Sequence, residues 1–197
     1  MLKLFYIPNT RASRVRWMLE ELAVPYQLAR IDWPTAGSEE YRRTVHPLGA
    51  VPALQDGEQT IIESAAINAY LADKFPESGL APPLQERGAY YQWIIYAMAT
   101  LEPLVATFSD HTRRLPEAER NPRLADEVRA TFGKAVAPVA AALEGTDWLL
   151  KNFGAADVVL GSVINWAVAA KLADQPALVA YVERIRGRPA WQASRRE

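Results

Sequence analysis

The sequence predicts an αβ domain feeding an all-α domain, on three observations. Strand-like and helix-like patterns alternate over the first 75 residues, a stretch containing Pro, Gly and Ser runs from Pro76 to Pro83, and every later pattern is helical. Residues 2–7 (LKLFYI) form a short apolar run stopped by Pro8-Asn9, after which Val15, Met18, Leu19 and Leu22 fall at helical spacing. Residues 26–31 predict a second strand, and residues 39–45 a short helix after the break at Pro34 and Gly37. The segments 51–55 and 60–62 flank Asp56-Gly57, a hairpin signal. From Ser64 a helical period in Ile67, Tyr70 and Leu71 runs until Pro76. The order is β-α-β-α-β-β-α. Beyond it, helices are predicted over 85–108, 122–143, 155–170, 176–186 and 189–195, the third apolar nearly all round. The domains are therefore 1–76, a linker over 77–84, and 85–197.

With 197 residues the chain has ample length for a buried core. Apolar residues make up 50% and charged residues 23%, the balance of an ordinary globular protein. Lys and Arg total 22 against 23 Asp and Glu, and neither half is basic, which argues against nucleic acid as the main partner. The absence of cysteine removes disulfides, Cys-ligated metal sites and any mechanism in which the protein supplies a thiol, so sulfur chemistry would use a thiol brought by the ligand. No apolar stretch approaches 18 residues, and the N-terminus lacks the pattern of a secretory signal, so no membrane partner and a cytoplasmic location are expected.

The segment HPLGAVPAL, His46 to Leu54, carries the most chemistry, together with Glu63-Ser64. A proline at the start of a strand cannot donate to the ladder, so Val51-Pro52 belongs at a strand mouth, where a cis bond fits and the Val51 backbone can pair with an outside peptide. Ser64 stands at a helix N-cap position, where unpaired N–H groups and positive partial charge suit a carboxylate. Taken singly, Pro52 also reads as a strand stop and Ser64 as a helix cap.

Together with LEEL at 19–22, ESAAINAYLADKF at 63–75 and FGAADVVLG at 153–161, these motifs make the chain resemble a soluble glutathione S-transferase over essentially its whole length. The resemblance implies a thioredoxin-like N-terminal domain and a helical C-terminal domain. It also implies a homodimer, with glutathione as co-substrate, no metal, and a small hydrophobic electrophile as second substrate. By the same resemblance Val51, beside Pro52, holds the cysteinyl backbone of glutathione, while Glu63 and Ser64 hold its γ-glutamyl amino and carboxylate ends. Backbone pairing reads a peptide without its side chains, and an acid suits an ammonium.

Two positions depart from the family pattern. Relatives place Lys or Gln where this chain has Ala50, so contact with the ligand's glycine end falls to His46 or is missing; the alternative for His46 is a solvated loop residue. Relatives also place Ser, Tyr or Cys in the turn before the first helix, where this chain has Asn9 and Arg11. A helix N-terminus or a nearby cation lowers a thiol pKa, so Thr10, Asn9 and Arg11 are the expected thiolate site. The alternative readings are a helix cap for Thr10 and a surface charge for Arg11. Tyr6 is a further candidate hydroxyl, and Ser13 is expected to face away. The electrophile pocket is expected between the domains, with Tyr90, Trp93, Phe108 and His111 as contributors or, alternatively, core residues. Asp157, three residues after Gly154, reads as a helix-start acid. The leading function is thiolate attack on an electrophile. The alternatives are a non-catalytic binding or scaffold protein of the same fold, and a glutathione-dependent disulfide reductase.

Overall fold

In the computed structural model, which describes residues 1–196, the first apolar run forms β1 (Leu2–Tyr6), a central strand of a four-stranded sheet. β1 pairs in parallel with β2 (Tyr26–Arg30), Leu4 opposite Leu28, and antiparallel with β3 (Ala53–Asp56), Leu4 opposite Leu54. β3 turns into β4 (Gln59–Ile62) through Asp56-Gly57, giving the order β2-β1-β3-β4. The parallel pair needs a crossover, and α1 (Ala12–Leu22) supplies it. Leu4 and Leu54 of the sheet, Val15, Met18 and Leu19 of α1, and Ile67 and Leu71 of α4 (Ser64–Lys74) are fully buried, and α1 packs on α4.

Between β2 and β3 the predicted break holds a one-turn helix, α2 (Trp33–Ala36), started by Asp32 accepting from the Thr35 N–H at 2.9 Å. α3 (Glu39–Thr44) follows, capped by the Ser38 hydroxyl. The turn after it requires Gly49. Its φ is +64°, and a Cβ there would lie 2.7 Å from the Ala36 carbonyl oxygen. β3 begins at Ala53 and not at residue 51, because Pro52 has no N–H for the ladder.

The chain divides into two units, Met1–Ala81 joined by the segment from Gly187, and Pro82–Arg186. The segment beyond Gly187, which the sequence alone places with the helices preceding it, packs on α1. Arg188 donates to both oxygens of Glu21 at 2.6 and 2.7 Å, and Glu21 also accepts from Trp17 Nε1 at 2.7 Å. Trp191 of α10 (Pro189–Ala193) meets Trp17 edge to face, centroids 4.8 Å apart, and Arg16 donates to the Arg196 carbonyl. Opposite charges on the two segments and two large aromatic rings make this contact.

In the second unit the predicted helix over 85–108 is a longer rod in two pieces, α5 (Gly88–Tyr96) and α6 (Glu102–Ser109), joined by a π turn at Ala97–Leu101 and followed by another at Asp110–Arg114. Pro103 explains the first interruption: it has no N–H for the carbonyl four residues back, and its ring clashes there. α7 (Pro122–Ala142) begins at an Asn121 cap and packs on α6, while α8 (Ala155–Ala169) packs on α5 and α6. α8 is the buried centre, with Val158, Val159, Leu160, Val163 and Ile164 fully enclosed. Asp157 is also fully buried and accepts from the Leu149 N–H and the Gly154 N–H, each at 3.0 Å, and from the Tyr181 hydroxyl at 2.9 Å. Tyr181 belongs to α9 (Pro176–Gly187), and burial with the Asp157 charge pushes its phenol well above the usual value. Among the described residues no helix is long and apolar enough to cross a membrane.

Candidate functional site

The first turn of α1 is shaped by Asn9 and Thr10. Asn9 has φ +59°, the left-handed region that Asn tolerates better than most residues, and its side chain is exposed. Thr10 donates its hydroxyl proton to the Ile7 carbonyl at 2.6 Å and accepts from the Ala12 N–H at 3.2 Å. Thr10 therefore ties the end of β1 to the start of α1, and as folded its proton is committed to a backbone oxygen. Arg11 is exposed at the N-cap position. Tyr6 is buried at the strand end with the Arg16 guanidinium 5.4 Å from its ring centre, and Ser13 is buried as well.

The second part of the site is the turn into β3. The Val51-Pro52 bond is cis, and the β1–β3 ladder ends at the Phe5–Ala53 pair. Among the described residues no backbone hydrogen bond engages Val51, while the Tyr41 hydroxyl holds the neighbouring Ala50 carbonyl at 3.0 Å. A strand mouth with an unpaired backbone is a place where an extended peptide can add.

Glu63 occupies the N-cap position of α4 with φ +70° and ψ 111°, a strained conformation for a residue with a side chain. Its carboxylate is exposed, and its carbonyl accepts from the Ile67 N–H at 2.9 Å. The cap thus lies one residue before the expected one, and the helix begins at Ser64. Ser64 lies inside its first turn, buried, and its hydroxyl does no capping. Instead Ser64 Oγ accepts from Nη1 of Arg14 at 3.2 Å, and the Ser64 carbonyl accepts from Asn68 Nδ2 at 2.7 Å. Arg14 is only 4% exposed. Neither Arg14 nor Asn68 stood out as a site residue in the sequence. The available signal was a cation beside Val15 and one turn from Met18, on the face that the apolar spacing buries.

His46 corrects an expectation. It is 5% exposed and not a solvated loop residue, because its Nδ1 accepts from the Leu48 N–H at 3.2 Å and folds the ring under the turn. Burial lowers its pKa, and the Glu63 charge opposes part of that shift. Tyr90, Trp93 and Phe108 are buried residues of the helical unit, which favours their core reading. His111 Nδ1 accepts from the Asn121 N–H at 3.2 Å. Among the described residues no group of His, Asp and Glu is placed to hold a metal ion.

A family model described as the glutathione S-transferase N-terminal domain matches residues 5–79. Glutathione S-transferase GstA of Escherichia coli O157:H7 is 30% identical over 200 residues, spanning 97% of this chain and 96% of that protein. Glutathione S-transferase GST-4.5 of Xanthomonas campestris pv. campestris is 29% identical over 189 residues, spanning 93% and 92%. Among solved structures, the theta class glutathione S-transferase of Xanthomonas axonopodis pv. citri, with glutathione bound, superposes with a TM-score of 0.86 at 27% identity, covering 100% of this chain and 97% of that one.

Proposed function

The chain belongs to the glutathione S-transferase family and is a glutathione transferase-like enzyme, and from that premise we propose that it binds glutathione along the Val51 backbone and delivers its thiolate to a small hydrophobic electrophile. The observation that carries this reading is the buried Arg14–Ser64 contact at the start of α4, beside the exposed Glu63 carboxylate. In the proposed complex the cysteinyl backbone pairs with Val51 beside Pro52, the γ-glutamyl carboxylate takes the Ser64 hydroxyl and the helix N-terminus, and Glu63 takes the ammonium. The thiolate is proposed to sit at the first turn of α1, where Asn9 donates, Arg11 supplies charge and Thr10 holds the turn. His46, turned inward on Leu48, leaves the glycine end to other groups.

Calorimetry with reduced glutathione tests the binding half. Ser64→Ala is expected to weaken binding by about 1.5–3 kcal/mol, roughly tenfold or more, while the helix N-terminus keeps some attraction for the carboxylate. Unchanged affinity would place the γ-glutamyl end elsewhere. Turnover with a generic aryl halide tests the enzymatic half. The committed Thr10 proton and Ala50 favour, as a second reading, a scaffold of the same fold that binds glutathione without activating it. Binding without turnover on aryl halides or mixed disulfides would select that reading, whereas turnover on disulfides alone would select a glutathione-dependent reductase.

A homodimer in the cytoplasm belongs to the same proposal. Leu48 is 78% exposed on the first unit, and Tyr91 and Ile95 are 47% and 62% exposed on α5, apolar surface suited to a second copy. Sedimentation at micromolar concentration is expected to give the dimer mass, and a monomer would end this part of the reading.

A further inference from the structure

We infer that Arg14 is a positioning residue for the γ-glutamyl carboxylate, acting through Ser64, an inference that rests on the glutathione-binding reading above. Arg14 lies on α1, far in sequence from the α4 terminus, yet its Nη1 donates to Ser64 Oγ at 3.2 Å and the side chain is almost wholly enclosed. A serine hydroxyl has one proton and two lone pairs. Because one lone pair is taken by the guanidinium, the proton is directed away from Arg14, and Ser64 faces its ligand as a donor. The Asn68 amide holds the Ser64 carbonyl at 2.7 Å, so the backbone carrying that hydroxyl is fixed too.

The charge matters as well as the orientation. A fixed cation behind a hydroxyl polarises it, and in a water-poor surround the hydrogen bond that it then gives to an anion is strengthened. A guanidinium suits this position because it stays charged when enclosed and offers a rigid fork. Glu63, at the other edge of the same helix start, is free of this arrangement and exposed to solvent. The two ends of an amino acid zwitterion are thereby separated: Arg14 and Ser64 serve the carboxylate, Glu63 the ammonium.

Three ligands separate this role from a merely structural one: glutathione, glutaryl-cysteinylglycine, which lacks the α-amine, and 4-aminobutyryl-cysteinylglycine, which lacks the α-carboxylate. Calorimetry on the unmodified protein and on Arg14→Gln gives the comparison. Arg14→Gln is expected to lose about 10- to 100-fold in affinity for the two carboxylate-bearing ligands, the loss of a charge-assisted hydrogen bond, and to bind the 4-aminobutyryl ligand as before. An equal loss for all three ligands, or no loss for any, overturns the inference while leaving the binding reading intact. An unmodified protein that does not bind glutathione overturns both. Where Arg14→Gln does not fold, Arg14→Lys carries the test. It keeps the charge without the fork, so its preference for carboxylate-bearing ligands is expected to fall about 3- to 10-fold, and an unchanged preference overturns the inference.

Discussion

Thr10 uses its hydroxyl twice, giving its proton to Ile7 and taking one from Ala12, so a sulfur beside it would meet an oxygen with nothing left to donate. Asn9 and Arg11 stay exposed. If bound glutathione is activated at this turn, its thiol pKa lies below that of the free tripeptide, measurable by ultraviolet absorbance against pH. Thr10→Ala is expected to leave that pKa unchanged and to cost about 0.5–2 kcal/mol of stability, the range for losing a helix-start side chain. Asn9→Gly is expected to raise it by about one to two units, the loss of one hydrogen bond to a charge. Glycine is the right replacement because Asn9 sits at φ +59°, where alanine would add strain of its own. A pKa moved by Thr10→Ala and not by Asn9→Gly would reverse the assignment. At this scale the sequence is legible only where a residue's role is local. Pro52 can be read from its covalent geometry, whereas Arg14 cannot, because its partner Ser64 is brought to it by the packing of α1 on α4.

Elements follow the sequence more closely, and they fail where two local rules compete. The strands, α1, α4 and α7 to α10 end within a few residues of their apolar periods. The predicted single helix over 85–108 misses the π turn at Ala97–Leu101, because periodicity tolerates one extra residue per turn while Pro103 requires it. Asp157 shows the opposite case, a short spacing from Gly154 that announces a helix start and is then used more widely. Its carboxylate serves Leu149 and Gly154 in the loop before α8 and Tyr181 on α9. Asp157→Ala would leave two buried N–H groups without their acceptor and the Tyr181 phenol with only the long contact to the residue 157 carbonyl, at 3.5 Å, and at about 1–3 kcal/mol for each lost bond, reduced by any water that enters, a loss of about 3–5 kcal/mol is expected in urea unfolding. A loss below about 1 kcal/mol would mean that these donors find other acceptors. Nearby, Gly161 allows the close approach of α8 to α9, since a Cβ there would fall on Ile185 Cδ1.

At the scale of the whole molecule the chain divides between Ala81 and Pro82, inside the stretch of Pro, Gly and Ser that begins at Pro76, and it returns to the first unit from Gly187. Nothing in the period of residues 189–195 says which surface they cover, since a short helix with one tryptophan fits many partners. The charges settle it: Glu21 has a 7% exposed side chain and is held by Arg188 with two hydrogen bonds. Arg188→Ala leaves that carboxylate its hydrogen bond from Trp17 Nε1 but without its cation, and between the costs of exposed and fully buried pairs about 2 kcal/mol of stability is expected to be lost. Arg188→Lys should recover only part of it, because an ammonium cannot reproduce the fork. Urea unfolding followed by tryptophan fluorescence reads both, and an unaffected midpoint in Arg188→Ala would show the pair to be dispensable.

The seating of Trp191 on Trp17 also bears on the order in which the molecule is built. α1 leaves the ribosome early, but the residues that cover its tryptophan follow only after the whole run from Pro82 to Arg186 has been made. The helical unit is contiguous in the chain, whereas the first unit includes a segment that closes a very long loop and brings Trp191 onto Trp17. The contact between Trp17 and Trp191 thus forms only after the whole helical unit has been synthesised.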